Sequence, residues 1–412
     1  MTSPDAALTA LPPVLPRGRR ALALTALTLG GFAIGVQEFV TMGLLPNLAQ
    51  GLLPTLYQAS PAAADASAAH LVSAYAAGVV VGAPTIIAFT AKWPKKRLLL
   101  VMLSWLVVAT AASALLPSFL PVMVARFLAG LPHGVYFGVA TMLAAKIMGP
   151  GSQAKGVALV LNGLTIANVI GVPAVTWVGQ HAGWRWAYGG VATLFALTLV
   201  SVWMTVPSFP GNPAASLRTE LRAFRRRQVW LTIAMGAIGF GGFFAAYSFI
   251  NPIATHIGGL RSATVPLVLV TAGIGMTLGN AIAGMTGDRH LAPTLFAGYG
   301  GVAVTLFAGF FLLHTGPGVF LWALLLGVFS QLVGPPAQSR LMNVAPGSET
   351  IAAASHHAAF NIGNSLGAFL GGVVVAAGFG FLSPLWVGLI LVLIGIGIGT
   401  VSFGLDRHPV QH

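Results

Sequence analysis

The amino-acid sequence predicts an all-α membrane protein of two pseudo-symmetric six-helix bundles, with both termini in the cytoplasm. Hydrophobic residues make up 56% of the 412 positions and charged residues only 7%, whereas a soluble domain carries about 25% charged residues. The apolar residues form about twelve runs, each long enough to span a bilayer. Lysine and arginine collect in alternate connections between these runs, as they do on the cytoplasmic side of membrane proteins.

The runs divide the chain into two halves of six. They occupy residues 21–45, 68–91, 98–116, 121–148, 156–180, 186–206, 229–253, 266–287, 291–313, 318–341, 350–377 and 383–404. The expected segments are a cytoplasmic tail at 1–20, a first bundle at 21–206, a cytoplasmic linker at 207–228, a second bundle at 229–404 and a cytoplasmic tail at 405–412. Because the first run is long enough to span and lacks a cleavage motif, no removable signal peptide is expected.

The placement of the basic residues gives the orientation. All of the 20 Lys and Arg residues except Arg126, Arg185 and Arg261 fall in segments that this topology puts in the cytoplasm. The net charge of +13 therefore reflects insertion in the plasma membrane, and no nucleic-acid partner is expected. The basic runs 92–97 and 225–227 are predicted to touch anionic lipid headgroups; binding of a soluble partner is the alternative.

The two halves show a weak internal repeat. One constant shift aligns Gly78-x-x-x-Gly82 of the second run with Gly275-x-x-x-Gly279 of the eighth, and Gly130 with Gly327. Parallel six-helix repeats place a substrate site near the bilayer midplane, between two halves that rock around it. The repeat therefore predicts a transporter.

Glu38 is the first candidate functional residue, because it is the only one of the seven acidic residues expected well inside an apolar run. A carboxylate near the bilayer centre costs about 2.5–3.5 kcal/mol on insertion scales, so it usually has a partner or a function. The other acids are expected in tails, loops or helix ends: Asp5, Asp65, Glu220, Asp288, Glu349 and Asp406.

Arg126 and His133 complete the predicted proton-coupling set. From the rise of an α-helix, Arg126 is expected at the depth of Glu38, and a buried acid beside a guanidinium can hold or release a proton as its hydration changes. A static ion pair between the first and fourth helices is the alternative. His133 follows Arg126 by two helical turns and can relay a proton near neutral pH; a packing contact is the alternative.

A polar stripe in the eleventh run predicts one wall of a substrate cavity. His357, Asn361 and Asn364 are spaced to share a helix face, and Gly363 and Gly371 belong to a glycine face that should pack on a neighbouring helix. Buried amides that only join helices are the alternative. The full set of predicted cavity residues is Tyr136, Asn162, Asn168, Tyr247, Asn251, Gln331, His357, Asn361 and Asn364.

An intramembrane enzyme is not expected. The chain has no cysteine, and its histidines are scattered over separate runs, so no nucleophile–base pair or metal-ligand cluster can be assembled from the sequence. Neither a cofactor nor a metal is predicted.

Five stretches resemble a known family in combination. They are EFVTMGLLPNLA, SAYAAGVVVGAP, ARFLAGLPHGVYFG, GLTIANVIGVPAVTWVGQHAGWRWAY and HHAAFNIGNSLGAFLGG. Together they resemble the drug:proton antiporter branch of the major facilitator superfamily over essentially the whole chain, especially its arabinose-efflux, sugar-efflux and chloramphenicol-exporter members. The resemblance implies proton-driven export by alternating access, a monomer, Glu38 as the proton- or substrate-responsive acid, and Arg126 as an arginine linked to proton coupling.

The resemblance also implies a set of gating residues. They are Lys92, Arg97, Gly171, Pro173, Asp288 and Arg289. The chain departs from the family in the loop after the second helix, where Ala91 replaces the usual aspartate and Lys92 the usual arginine. The fifth-helix motif is also incomplete, with Ala174 after Pro173. The usual charge latch is therefore expected to be altered in the first half.

The sequence thus predicts a proton-coupled efflux transporter whose partners are small amphiphilic substrates, protons and membrane lipid. An uncoupled facilitator of the same fold, or an exporter of sugars or nucleosides, is the alternative.

Overall fold

A computed structural model describes residues 16–90, 93–149, 153–208, 224–286, 290–345 and 349–407. Within these residues the chain is all-helical and contains twelve helical spans long and apolar enough to cross a membrane, which confirms the predicted fold class. With twelve spans, both ends of the described chain lie on one side of the protein. This is the terminal side; the opposite side is the far side. Most of the predicted linker lies outside the described residues.

The spans agree with the apolar runs to within a few residues. The first half contains Arg17–Gly43, His70–Thr90, Lys95–Leu115, Phe119–Gly130 continued by His133–Met148, Gln153–Ile166 continued by Val172–Ala182, and Trp184–Thr205. The second half contains Arg227–Ala234 continued by Phe240–Tyr247, then Val265–Thr286, Leu291–Leu312, Gly316–Val344, Glu349–Val374 and Ser383–Arg407. Short helices Leu45–Leu52 and Pro54–Ala59 connect the first span to the second, and the helix Pro61–Ala68 leads directly into the second span.

Several membrane helices are irregular, and the sequence explains the irregular point in the fourth, the fifth and the eleventh. The fourth breaks at Leu131 and Pro132, because proline lacks the amide hydrogen that an interior position must donate. The fifth contains a π-helical turn at Ala167–Gly171, just before Pro173. The eleventh ends in another, Val375–Phe379, where Gly378 has a φ of 87° that favours glycine.

Close glycine contacts confirm the internal repeat. In the first half, Gly78 of the second helix packs against Gly130 of the fourth. A Cβ added to Gly78 would lie 3.1 Å from the Gly130 Cα. In the second half, a Cβ on Gly275 of the eighth helix would lie 3.1 Å from the Val328 amide nitrogen of the tenth. In the reverse direction, a Cβ added to Gly327 of the tenth helix would lie 2.9 Å from the Met276 amide nitrogen of the eighth. Equivalent helix pairs therefore use equivalent glycines.

The eleventh helix packs against the seventh through its glycine face, as predicted. A Cβ added to Gly363 would lie 2.7 Å from the Ala237 carbonyl oxygen, and one added to Gly371 would lie 3.1 Å from the Ala245 carbonyl oxygen. Small residues allow this backbone approach, which maximises van der Waals contact in lipid. The polar stripe of the same helix is thereby turned away from the seventh helix.

The two bundles meet along two seams, between the second and eleventh helices and between the fifth and eighth. In the first seam, Ser73 and Ser365 each donate a hydroxyl to the other's backbone carbonyl, both at 3.2 Å. On the far side, the Asn251 amide donates to the Gly43 carbonyl. These contacts join the halves on the far side, so the protein is closed there in this conformation.

A polar cluster joins three helices of the second half on the terminal side. Arg340 of the tenth helix forms an ion pair with Asp406 of the twelfth. The Ser402 hydroxyl accepts from Arg340 at 3.2 Å and donates to Gln228 of the seventh at 2.8 Å. Asp406, expected in a tail, a loop or a helix end, lies at the end of the last helix, which continues to Arg407.

The glycine contacts generate a stability prediction. Gly275→Ala is expected to lower thermal stability by about 1–3 kcal/mol, the usual cost of overpacking, because the new methyl group would meet the rigid Leu324 carbonyl. Thermal unfolding in detergent would measure the loss. Gly284→Ala is the matched control on the same helix: no heavy atom lies within 4 Å of its added Cβ, so no loss is expected. Equal melting temperatures for both variants would contradict the packing role.

Candidate functional site

The candidate site lies between the bundles, where Glu38 of the first helix meets Asn364 of the eleventh. The Glu38 side chain is 6% exposed and Asn364 is fully buried. The Asn364 amide donates to a Glu38 carboxylate oxygen over 3.4 Å, at the long end of hydrogen-bond distances. The predicted polar stripe therefore reaches the predicted acid across the seam, and each bundle contributes one partner.

Arg126 is held by aromatic rings and a backbone carbonyl. Its side chain is fully buried, and it donates to the Gln37 carbonyl at 3.1 Å. The guanidinium lies over the Tyr75 ring, 4.4 Å from the centroid, and 5.6 Å from that of Tyr188. Cation–π contacts of this kind are strongest where water is excluded.

The static Glu38–Arg126 ion pair, the alternative left open by the sequence, is not formed in this conformation. Among the described residues, the one ion pair within 4.0 Å joins Arg340 to Asp406. Arg126 nevertheless lies close to Glu38 along the first helix, because it donates to the carbonyl of the preceding residue, Gln37. The carboxylate is therefore under the influence of the guanidinium without being fixed by it.

Tyr75 connects Arg126 to His133. Its ring lies under the guanidinium, and its hydroxyl is 3.0 Å from His133 Nδ1. The sequence does not indicate this role for Tyr75, although the residue lies in the stretch SAYAAGVVVGAP. A tyrosine in an apolar run is compatible with lipid contact or with burial, and only the packing of the second helix on the fourth decides between them.

Several buried polar atoms in this centre have no hydrogen-bond partner among the described residues. They are both side-chain polar atoms of Gln37, the Nε and Nη2 of Arg126, and the Oδ1 of Asn364. A buried polar group without a partner costs about 1–3 kcal/mol. These atoms are therefore available to bind water or a polar ligand group when the centre becomes accessible.

Aromatic rings line the seventh-helix side of the centre. Phe39 stacks on Phe244 at 6.3 Å between centroids and meets Tyr247 edge-on at 5.8 Å. Tyr247 in turn stacks on Phe243 at 4.9 Å. All four rings are buried, and Phe39 directly follows Glu38 in the first helix, so a group of packed aromatic rings begins beside the acid.

His357 of the eleventh helix also faces the first bundle across the seam. Its ring lies parallel to that of Phe137 of the fourth helix, with centroids 5.8 Å apart. Asn361 donates to the His357 carbonyl at 3.0 Å. The stripe predicted in the eleventh helix thus contacts the first bundle through both His357 and Asn364.

Other predicted cavity residues make packing contacts. The Tyr136 hydroxyl donates to the Leu27 carbonyl at 2.8 Å. Asn168 donates to the carbonyl of Leu164, one turn earlier, at 3.1 Å. Asn251 lies in the far-side contact described above. Asn162 is exposed and Gln331 is half-buried.

The predicted gating residues are only partly described. Lys92, Asp288 and Arg289 lie outside the described residues, so the latch remains a prediction. Arg97 is exposed, with its guanidinium 5.4 Å from the Trp93 ring centroid. Gly171 packs closely on the first helix, where an added Cβ would lie 2.7 Å from the Phe32 ring, and Pro173 is buried in the helix that follows the π-turn.

The expectation that Asp65 lies in a loop or helix end is wrong. Asp65 lies within the helix Pro61–Ala68, which opens the second candidate span, and its side chain is completely buried. The alanine-rich segment after the Ser60 cap forms a helix that packs on other elements. Glu38 is therefore not the only acid inside a span. In the part of the chain that is described, no group of three or more His, Asp or Glu residues is placed to hold a metal ion.

Comparison with known proteins identifies relatives over most of the chain. Residues 27–349 match the family model of the Major Facilitator Superfamily. The chain is 34% identical to the inner membrane transport protein YdhP of Escherichia coli over 87% of its length and 90% of the relative. It is 31% identical to the putative transporter AraJ of Escherichia coli, covering 87% and 89%. It is 30% identical to a chloramphenicol resistance protein of Streptomyces lividans, covering 88% and 92%.

The fold is similar to that of solved transporter structures. Superposition on the crystal structure of a D-xylose-proton symporter gives a TM-score of 0.72, covering 91% of this chain and 97% of the symporter. The sequences are 16% identical, so this similarity concerns the fold alone.

The Tyr75 contacts generate a second prediction. Tyr75→Phe is expected to lower thermal stability by about 0.5–1.5 kcal/mol, because the His133 ring loses its hydroxyl partner. Tyr75→Ala should cost more, since Arg126 also loses the ring beneath it. Thermal unfolding in detergent measures both changes. Tyr57→Phe, at a half-buried position on Pro54–Ala59, is the control. A Tyr75→Phe protein as stable as the wild type would show that the hydroxyl contact contributes nothing.

Proposed function

Because the chain belongs to the major facilitator superfamily, it is a membrane transporter, and we propose that it exports small amphiphilic molecules in exchange for protons. In this proposal Glu38 carries the proton, and the termini lie in the cytoplasm. An inner membrane relative supports location in the plasma membrane, and the basic segments support the orientation.

The contact between Glu38 and Asn364 is the observation that carries the proposal. The two residues belong to different bundles, and one long hydrogen bond joins them. When the bundles rock, this contact must break or change, and the carboxylate must then find water or another partner. Protonation and conformation are thereby coupled, because a proton shifts an equilibrium only by its different affinity for the two states.

Arg126, Tyr75 and His133 support Glu38 in this scheme. A guanidinium near the carboxylate favours its charged form, whereas desolvation favours the neutral form. Since aromatic rings hold Arg126 and no ion pair fixes it to Glu38, a small movement of the first helix changes the balance. The unpartnered atoms of Gln37 and Arg126 would bind the water that carries the proton once the bundles part and admit it.

Aromatic surface beside a buried acid supports amphiphilic substrates. Ligand sites are mostly apolar, with a few polar groups that fix orientation, and the wall of Phe39, Phe244 and Tyr247 next to Glu38 has this composition. Similarity to a protein named for chloramphenicol resistance agrees with drug-like substrates.

A sugar or nucleoside exporter, or an uncoupled facilitator of the same fold, is the second candidate. The unpartnered Oδ1 atoms of Asn361 and Asn364 favour it, because amides bind hydroxyl-rich ligands well. In that case Glu38 would bind substrate directly, and transport would not depend on a pH gradient.

The test is transport in proteoliposomes with and without an imposed pH gradient, using chloramphenicol and ethidium as probes and uridine and arabinose for the alternative. Wild-type protein is expected to accumulate an amphiphilic probe only with the gradient. Glu38→Gln should abolish this uphill accumulation while keeping downhill exchange, because the neutral amide cannot release a proton.

The Asp406→Asn variant is the matched control, since Asp406 lies in the terminal-side cluster and should leave the gradient dependence unchanged. Gradient-driven accumulation by Glu38→Gln equal to wild type would remove Glu38 from the mechanism. Gradient-independent transport of uridine or arabinose by the wild type would establish the second candidate.

A further inference from the structure

Asp65 is a second buried acid that the proposed transport cycle does not use. It lies on the helix Pro61–Ala68, whose start is capped by the Ser60 hydroxyl, an acceptor for the Ala63 amide at 3.3 Å. The side chain is fully buried. Neither carboxyl oxygen has a hydrogen-bond partner among the described residues.

The helix that carries Asp65 is part of the far-side closure. Within the first bundle it packs on Leu45–Leu52 and Pro54–Ala59; across the seam it packs on the eleventh helix and its terminal turn Val375–Phe379. A Cβ on Gly372 of the eleventh helix would lie 3.1 Å from the Ala66 carbonyl oxygen. Parting of the bundles on the far side would therefore uncover this helix.

Within the described residues, no lysine or arginine lies on the elements packed around the Asp65 helix. The titratable groups nearest along the chain are Tyr57 on Pro54–Ala59 and His70 at the start of the second helix. Burial raises the pKa of Tyr57, so its phenol is neutral and supplies no positive charge to Asp65. His70 contacts the Ser67 carbonyl and the Phe369 ring. The eleventh helix carries Glu349, His356 and His357 only in its terminal-side part.

An ionised carboxylate in such surroundings has no compensating partner. Burying an isolated charge costs so much that the group takes up a proton and becomes neutral instead. We propose that Asp65 is a second proton-binding site, which is protonated when the bundles are closed on the far side and releases its proton to far-side water when they part. The proton there controls the gate and is not carried across the membrane.

This site has a consequence separate from Glu38. A low pH on the far side favours the closed form, because protonated Asp65 can stay buried. A high pH favours the open form, because the ionised carboxylate is stabilised by water. The direction follows from the different proton affinities of the two states, whether or not Glu38 couples transport to protons.

The experiment measures far-side opening directly. The chain has no native cysteine, so spin labels can be placed specifically at Gln58→Cys in the first bundle and Ser262→Cys in the second, both exposed positions. Electron–electron double resonance in lipid nanodiscs then gives the distance distribution. In a Glu38→Gln background, raising the pH is expected to shift the population toward longer distances. Adding Asp65→Asn should hold the short distance at every pH.

His70→Gln in the same background is the control and should retain the pH-dependent shift. The proposal is overturned if Asp65→Asn keeps that shift, if His70→Gln removes it, or if the Glu38→Gln protein shows no shift. Should Asp65→Asn fail to fold, infrared spectra of Glu38→Gln protein with ¹³C-labelled aspartate replace it. A protonated aspartate band that disappears as the pH rises is expected, and its absence at low pH overturns the proposal.

Discussion

A carboxylate inside the membrane, contacted by an amide from the opposite bundle, is the constraint on which the rest of the site depends. Lipid offers no water to Glu38, so protein groups must supply its surroundings. Asn364 reaches it from the eleventh helix, and the aromatic cage of Arg126 keeps a positive charge nearby. The glycine face of the eleventh helix determines this geometry, because it packs on the seventh helix and leaves the amides turned toward the first bundle.

The sequence predicts the fold closely because each span must be apolar over its whole length. Hydropathy and charge placement located the spans to within a few residues, and the glycine spacing indicated which helices approach closely. The polar stripe of the eleventh helix was also predictable, since seven residues make about two helical turns and place His357 and Asn364 on the same face. Local periodicity was sufficient for these features.

Tyr75 and Asp65 could not be predicted in this way, because their surroundings come from distant parts of the chain. Tyr75 gains its role from the fourth helix, which brings Arg126 over its ring and His133 to its hydroxyl. Asp65 lies in a short segment of proline, serine and alanine just before the second apolar run, and such small side chains give no hydrophobic signal of burial. Its burial results from packing of that segment in the far-side contact. Individual amides such as Asn168 and Asn251 likewise gave no indication of which carbonyl they would bind.

The interruption of the fourth helix at Leu131 and Pro132 divides it into two rods that meet at a joint. The far-side rod carries Arg126, whereas the terminal-side rod carries His133 and Phe137, the ring that faces His357 of the second bundle. Leu131 and Pro132 both keep right-handed helical backbone angles, so the two rods remain parts of one span. The fourth helix thus joins the guanidinium in its aromatic cage to the ring that faces the second bundle within a single membrane crossing.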